Sequence, residues 1–174
     1  MKKISINGIP MKSLSIDGLE IWREAPSYTN QVLSSTDASG NLYNGIGYKD
    51  GYRVRSGGAE EAATGMSCTG FIKVQDGDII RLSGWDFAIE SNGNAINVVD
   101  ADYNNIGQFT MLGASYGILL ENGYDRDDVI LESSGVWRIE LPTNLGIKYI
   151  RVTGQVGDAT GAAMIVTINE EITE

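Results

Sequence analysis

Apolar and polar residues alternate along much of this chain with a period of two, in short runs rather than long helical stripes. Phe71-Ile72-Lys73-Val74, Asp78-Ile79-Ile80-Arg81-Leu82, Phe87-Ala88-Ile89 and Ala95-Ile96-Asn97-Val98-Val99 are the first clear cases. Val136-Trp137-Arg138-Ile139-Glu140-Leu141, Lys148-Tyr149-Ile150-Arg151-Val152 and Ala163-Met164-Ile165-Val166-Thr167-Ile168 follow. Successive side chains of a strand point to opposite faces, so Ile and Val are expected inside and Arg, Lys or Thr outside. Between the runs stand Asn7-Gly8, Asp17-Gly18, Asn44-Gly45, Asp50-Gly51, Asp76-Gly77, Asn92-Gly93 and Asn122-Gly123. These pairs tolerate the positive φ of tight hairpin turns. The pattern predicts an all-β chain, a β-sandwich of jelly-roll-like type, with the Asx-Gly pairs as reversal points.

Two regions refine the picture. Ile4-Ser5-Ile6-Asn7-Gly8-Ile9 is echoed by Leu14-Ser15-Ile16-Asp17-Gly18-Leu19, so residues 3–23 read as a three-stranded meander with Ile4, Ile6, Leu14, Ile16, Leu19 and Ile21 on its apolar faces. So small a meander is marginal alone and is expected to pack on the rest of the chain or on a second subunit. This divides the chain into an attachment or packing element, 1–25, and a sandwich domain, 26–174. The stretch from Tyr28 to Gly70 is polar and glycine-rich. Tyr48-Lys49-Asp50-Gly51-Tyr52-Arg53-Val54 predicts a hairpin there, and Ala59-Glu60-Glu61-Ala62-Ala63 has the composition of one helical turn between flanking glycines.

Composition changes what such a fold can do. Histidine is absent, which removes Ser-His-Asp and Cys-His nucleophiles and every His-ligated metal site. The one cysteine, Cys68, has no partner for an internal disulfide and reads as a small buried apolar residue. A formal charge of −10 argues against nucleic acid and anionic membranes as partners. No apolar run is long enough to span a bilayer. No apolar signal core follows Met1-Lys2-Lys3, because Asn7, Gly8 and Pro10 interrupt, so the chain is expected to be made in the cytoplasm.

Three kinds of site remain. Acids in turns, among them Asp86, Asp100 and Asp102, can in principle supply a glycosidase pair, but a loop-solvating role is the plainer reading and the chain reads as non-enzymatic. Asp100-Ala101-Asp102-Tyr103-Asn104 places oxygen ligands at alternate positions. Asn105 and Met111 break the EF-hand pattern, yet Asp100, Asp102 and Asn104, with Asp125, Asp127 and Asp128, make a candidate sandwich-loop Ca2+ site. Trp85, Tyr48, Tyr52, Tyr103 and Tyr116 lie near predicted loops or strand ends and are candidate sugar-stacking residues.

Three stretches carry a family resemblance: Ser5-Ile6-Asn7-Gly8 through Leu14 to Trp22; Thr69-Gly70-Phe71-Ile72-Lys73-Val74-Gln75-Asp76-Gly77-Asp78-Ile79-Ile80-Arg81-Leu82; and Lys148 to Val152 followed by Ile165 to Ile172. They resemble the opening, a central strand-turn-strand unit and the closing strands of tail and baseplate-associated proteins from phages and prophages of gut bacteria. The resemblance implies a virion component that assembles with other virion proteins and with itself as a homo-oligomer, and that touches bacterial surface polysaccharide. It carries over no catalytic residue. A stand-alone carbohydrate-binding module and a carboxylate-dependent polysaccharide-cleaving enzyme are the rival expectations.

Overall fold

A computed structural model describes residues 5–6, 9–10, 13–16, 19–23, 28–55, 57–84, 94–112, 115–119, 129–133, 135–157 and 159–172. Its strands are β1 (Ser5–Ile6), β2 (Ile9–Pro10), β3 (Ser13–Ile16), β4 (Leu19–Arg23), β5 (Tyr48–Val54), β6 (Glu60–Thr69), β7 (Ile72–Lys73) and β8 (Ile79–Ser83). Then come β9 (Asn94–Val99), β10 (Asn105–Leu112), β11 (Ser115–Leu119), β12 (Val129–Ser133), β13 (Val136–Glu140), β14 (Tyr149–Gln155) and β15 (Ile165–Ile168). Helix among the described residues is limited to short 3-10 turns such as Gln31–Ser34 and Gly161–Ala163. The fold is all-β, with two antiparallel sheets forming a sandwich. The larger runs β11-β10-β9-β14-β6-β5, with β7 also on β14, and the smaller runs β12-β13-β8-β15.

The period-two pattern explains why these sheets face one another. Ile96 and Val98 of β9, Phe109 of β10, Ile150 and Val152 of β14 and Ile72 of β7 point in from the larger sheet. Ile80 and Leu82 of β8, Ile139 of β13 and Val166 of β15 meet them from the smaller one. Each is at most 2% exposed. Truncating any of these Ile or Leu side chains to Ala is expected to cost about 2–5 kcal/mol. Val32, Ile147 and Met164, from outside the strands, belong to the same core.

Several elements differ from the sequence expectation. Asp76-Gly77 is a turn, with Gly77 at φ +80, but it is no hairpin. It carries the chain out of β7, which pairs with β14 in the larger sheet, into β8, which pairs with β13 and β15 in the smaller. Residues 48–54 form one strand, not a hairpin. Gly51, at φ +75, stands opposite a bulge in β6, because Asp50 pairs with Ser67 while Tyr52 pairs with Ala62, which sets the one residue against 63–66. Residues 60–63 extend as β6 against β5, so ladder hydrogen bonds override the helical composition of Ala59–Ala63. In the N-terminal region β1 pairs with β2 and β3 with β4, two separate ladders where one meander is expected. The expected strand Phe87–Ile89 and the Asn92-Gly93 and Asn122-Gly123 turns lie outside the described residues.

Candidate functional site

Inward Ile150 and Val152 force Tyr149, Arg151 and Thr153 onto the outer face of the larger sheet, with Asn97 directly opposite Arg151 on β9. That face is expected to be wet. Instead Arg151 is 6% exposed, Thr153 1% and Asn97 0%. The cover is the outer half of the β5–β6 hairpin, bent over by its bulge. Val54 N–H donates to Thr153 Oγ1 at 3.0 Å, Asn97 Nδ2 donates to the Arg55 carbonyl at 2.9 Å, and Arg151 Nη2 reaches Glu60 Oε1 at 2.7 Å.

Arg151 is the hub. Its Nε and Nη2 donate to the Thr69 carbonyl at 3.2 and 3.1 Å. That carbonyl is available because the strand breaks at Gly70, where Val152 N–H turns to the Thr69 hydroxyl instead. Gly70 has to be glycine here, since a Cβ would overlap Tyr43 Cβ and the Thr36 carbonyl. The guanidinium carbon lies 5.1 Å from the Phe71 ring centre and 5.4 Å from that of Tyr43, within cation–π range. Glu60 collects the surrounding donors: Arg151, Tyr43 Oη at 2.7 Å and Lys49 Nζ at 3.2 Å. Burial pushes the Glu60 carboxyl up, but hydrogen bonds from Tyr43 and Arg151, the Arg151 charge and Lys49 outweigh it, leaving it below the usual carboxylate range. Burial, with the Glu60 hydrogen bond second, pushes the Tyr43 phenol up, and burial likewise raises the Cys68 thiol. Lys49 lies 3.5 Å from the centre of the Tyr52 ring.

At the other end of this strip stand three aromatic rings. Tyr103 and Tyr149 stack with centres 4.9 Å apart and planes 17° apart, and their hydroxyls meet at 3.4 Å. Phe71 presents edge contacts to both, 4.9 Å from Tyr103 and 5.9 Å from Tyr149. Had Phe71 covered the far side of Tyr103, it would stand roughly 10 Å from Tyr149, twice an ordinary ring spacing. It stands beside the stack instead, so neither ring covers the other face of Tyr103. Tyr103 is 37% exposed.

The loop that holds Tyr103 has a twin. In Asp37-Ala38-Ser39-Gly40-Asn41 the Asp37 carboxylate accepts the backbone N–H groups of Ser39 and Asn41 and the Asn41 side-chain amide. In Asp100-Ala101-Asp102-Tyr103-Asn104 the Asp100 carboxylate accepts the corresponding three from Asp102 and Asn104. Asn41 and Asn104 carbonyls accept from Asp37 and Asp100 N–H in the same way. The fourth position is left-handed in both, with Gly40 at φ +82 and Tyr103 at φ +65. Glycine adopts that conformation freely, whereas a tyrosine there costs about 1–2 kcal/mol. These bonds, led by the Asn104 and Asn41 backbone N–H groups, hold the Asp100 and Asp37 carboxyls below their ordinary values.

Of the expected stacking residues, Tyr103 and Tyr52 lie on this strip. Tyr48 packs against the core, its ring over Gly161. Tyr116 pairs through its backbone with Met111 on β10, and Trp85 lies outside the described residues. Of the candidate calcium ligands, Asp100, Asp102 and Asn104 meet in the Asx turn just described, and Asp125, Asp127 and Asp128 lie outside the described residues. The described residues hold no cluster of three or more acids or thiols arranged for a metal. Sequence reasoning missed Tyr149, Phe71, Tyr43, Arg151, Glu60 and Lys49. The alternation of Lys148–Val152 carried a signal for two of them, because it puts a tyrosine and an arginine together on the outward face.

The smaller sheet's outer face is different in kind. Arg81 forks onto Glu132 at 2.8 and 3.2 Å, and Arg138 pairs with Glu140 at 3.0 Å and approaches Glu132 at 3.7 Å. Its charges satisfy one another. No protein-family model matches the chain, and no curated protein or solved structure matches it significantly.

Proposed function

We propose that this chain is a non-enzymatic recognition and assembly module of the phage tail or baseplate accessory type, which contacts a bacterial surface glycan through the outer face of its larger sheet. The observation that carries the reading is the aromatic cluster of Tyr103, Tyr149 and Phe71 at the exposed end of that face. Tyrosine faces suit the C–H surface of a sugar ring while their hydroxyls remain hydrogen-bonded. The Arg151–Glu60–Tyr43 network beside it is internally hydrogen-bonded, which suits a scaffold that positions a contact surface. The jelly-roll description rests on the alternation and turn pattern of the sequence, and the assembly role and the virion location rest on the sequence resemblance.

The test is an array of bacterial surface polysaccharides probed with the full chain and with Tyr149→Ala. Saturable binding to at least one polysaccharide, reduced about tenfold or more by the substitution, supports the reading. Silence across the array ends it. Light scattering separates the assembly role from a stand-alone carbohydrate-binding module, which has no need of an oligomer.

A further inference from the structure

The twin loops supply an internal comparison. One sequence frame, Asp-Ala-x-x-Asn, is built twice with the same hydrogen bonds, and at the left-handed position one copy has glycine and the other tyrosine. The frame itself therefore does not require a side chain at that position. What the tyrosine adds is a ring, 37% exposed, that stacks on Tyr149 by one face and whose other face neither Tyr149 nor Phe71 covers.

We infer that the open face of Tyr103 is a subsite for a single neutral pyranose ring. This rests on the glycan-contact reading above and adds the size and charge of what is bound. Tyr103 and Tyr149 lie one on the other, 4.9 Å apart, not side by side. On the Tyr103 side the pair thus presents the area of a single ring, which matches one sugar ring. Flat crystalline polysaccharide, by contrast, needs several coplanar rings spaced along a surface. The rim argues for neutrality. The Thr36–Phe71 bridge brings Asp37 beside the aromatic cluster, and Asp102 adjoins Tyr103 in its own turn, while Lys73 lies opposite Tyr149 across the β7–β14 ladder. A uronic or sialic acid would meet the Asp37, Asp100 and Asp102 carboxylates there, against the Lys73 ammonium and an Arg151 guanidinium already engaged by Glu60 and the Thr69 carbonyl.

The test uses the full-length chain, methyl glycosides of glucose, galactose and rhamnose together with N-acetylglucosamine, and two variants, Tyr103→Gly and Tyr103→Phe. Binding is read by amide chemical-shift changes during titration. Tyr103→Gly is expected to keep its melting temperature within about 4 °C, because relief of the left-handed strain opposes loss of the ring stack. It should weaken binding of the preferred glycoside at least tenfold, with Tyr103→Phe staying within about threefold. The shifts should centre on residues 100–104 and 149. Trimers of the preferred sugar should bind no more than about threefold tighter than the monomer, and insoluble cellulose should not retain the protein. A polysaccharide-binding wild type whose affinity survives Tyr103→Gly, grows steeply with chain length, or prefers glucuronic acid overturns this inference and leaves the recognition role standing. A wild type that binds no saccharide overturns both.

Discussion

At the residue scale the outer face is governed by Arg151, and its neighbours define what replacing it does. Arg151→Met removes three donated hydrogen bonds and leaves the Thr69 carbonyl and Glu60 without them. Glu60 retains Lys49 and Tyr43 and is partly exposed, so the loss is smaller than for a fully buried pair. A urea-unfolding midpoint lowered by the equivalent of about 2–3 kcal/mol is the expected result. Glu60 gives the pH dependence. Its folded-state carboxyl titrates below its unfolded value, so its contribution is complete above the ordinary carboxylate range and is lost as pH falls through the folded value. Glu60→Gln should therefore flatten the acid limb of stability measured between about pH 5 and pH 2, while leaving the pH 6–8 region level. Asp76 acts in the same direction. Burial raises its carboxyl, but the N–H groups of Gly146, Ile147 and Leu145 outweigh this, so Asp76→Asn should also trim the acid limb.

At the scale of elements, the break between β6 and β7 is what makes the site. A continuous strand would use the Thr69 carbonyl in the ladder and leave Arg151 without its anchor. Gly70→Ala tests this, because the added methyl overlaps Tyr43 and Thr36 with no room to shift. A loss of about 3 kcal/mol or more in thermal or urea unfolding is expected. Gly65→Ala is the control: Gly65 also has a positive φ, +78, but opens onto space, so only about 1 kcal/mol should be lost. These two glycines look alike in the sequence. Legibility follows the same division. Strands β8, β9, β13, β14 and β15 were readable because alternation reports burial on one face, and Ile80, Ile96 and Ile150 obey it. The outward faces were not. Period two puts Arg151, Asn97 and Thr153 outside without revealing that a bulged hairpin from residues 51–63 folds over them. Asx-Gly pairs mark a bend in the backbone, and only tertiary pairing decides between a place opposite a bulge, as at Gly51, and a crossing between sheets, as at Gly77. The same limit hid the ring cluster: Phe71, Tyr103 and Tyr149 come from three separate segments, and no local spacing joins them.

At the scale of the whole molecule, the proposed single-ring subsite and the proposed assembly role depend on each other. One sugar ring on one aromatic face gives affinity of about millimolar order, too weak to hold a surface alone. Repeating the site in an oligomer raises apparent affinity by about 10²–10⁴ without any new contact. The residues to test for that repetition are Leu33, Leu42 and Ile46, which are 54%, 44% and 47% exposed on a segment tied together by Ser35, Tyr43 and Gly47. Contiguous exposed apolar patches mark contact surfaces, whereas apolar residues scattered singly are ordinary. Light scattering of the full chain should give a multiple of 18.8 kDa. Ile46→Asp, at an exposed position where the fold has little to lose, should shift the mass toward the monomer and leave the melting curve of the sandwich nearly unchanged. The same substitution should preserve titration with a free methyl glycoside while lowering retention on immobilised polysaccharide by at least tenfold. An oligomer untouched by Ile46→Asp would move the contact elsewhere. A wild type that is monomeric at every concentration, yet is retained on polysaccharide as tightly as ever, would show that repetition of the Tyr103 site is not the source of its grip.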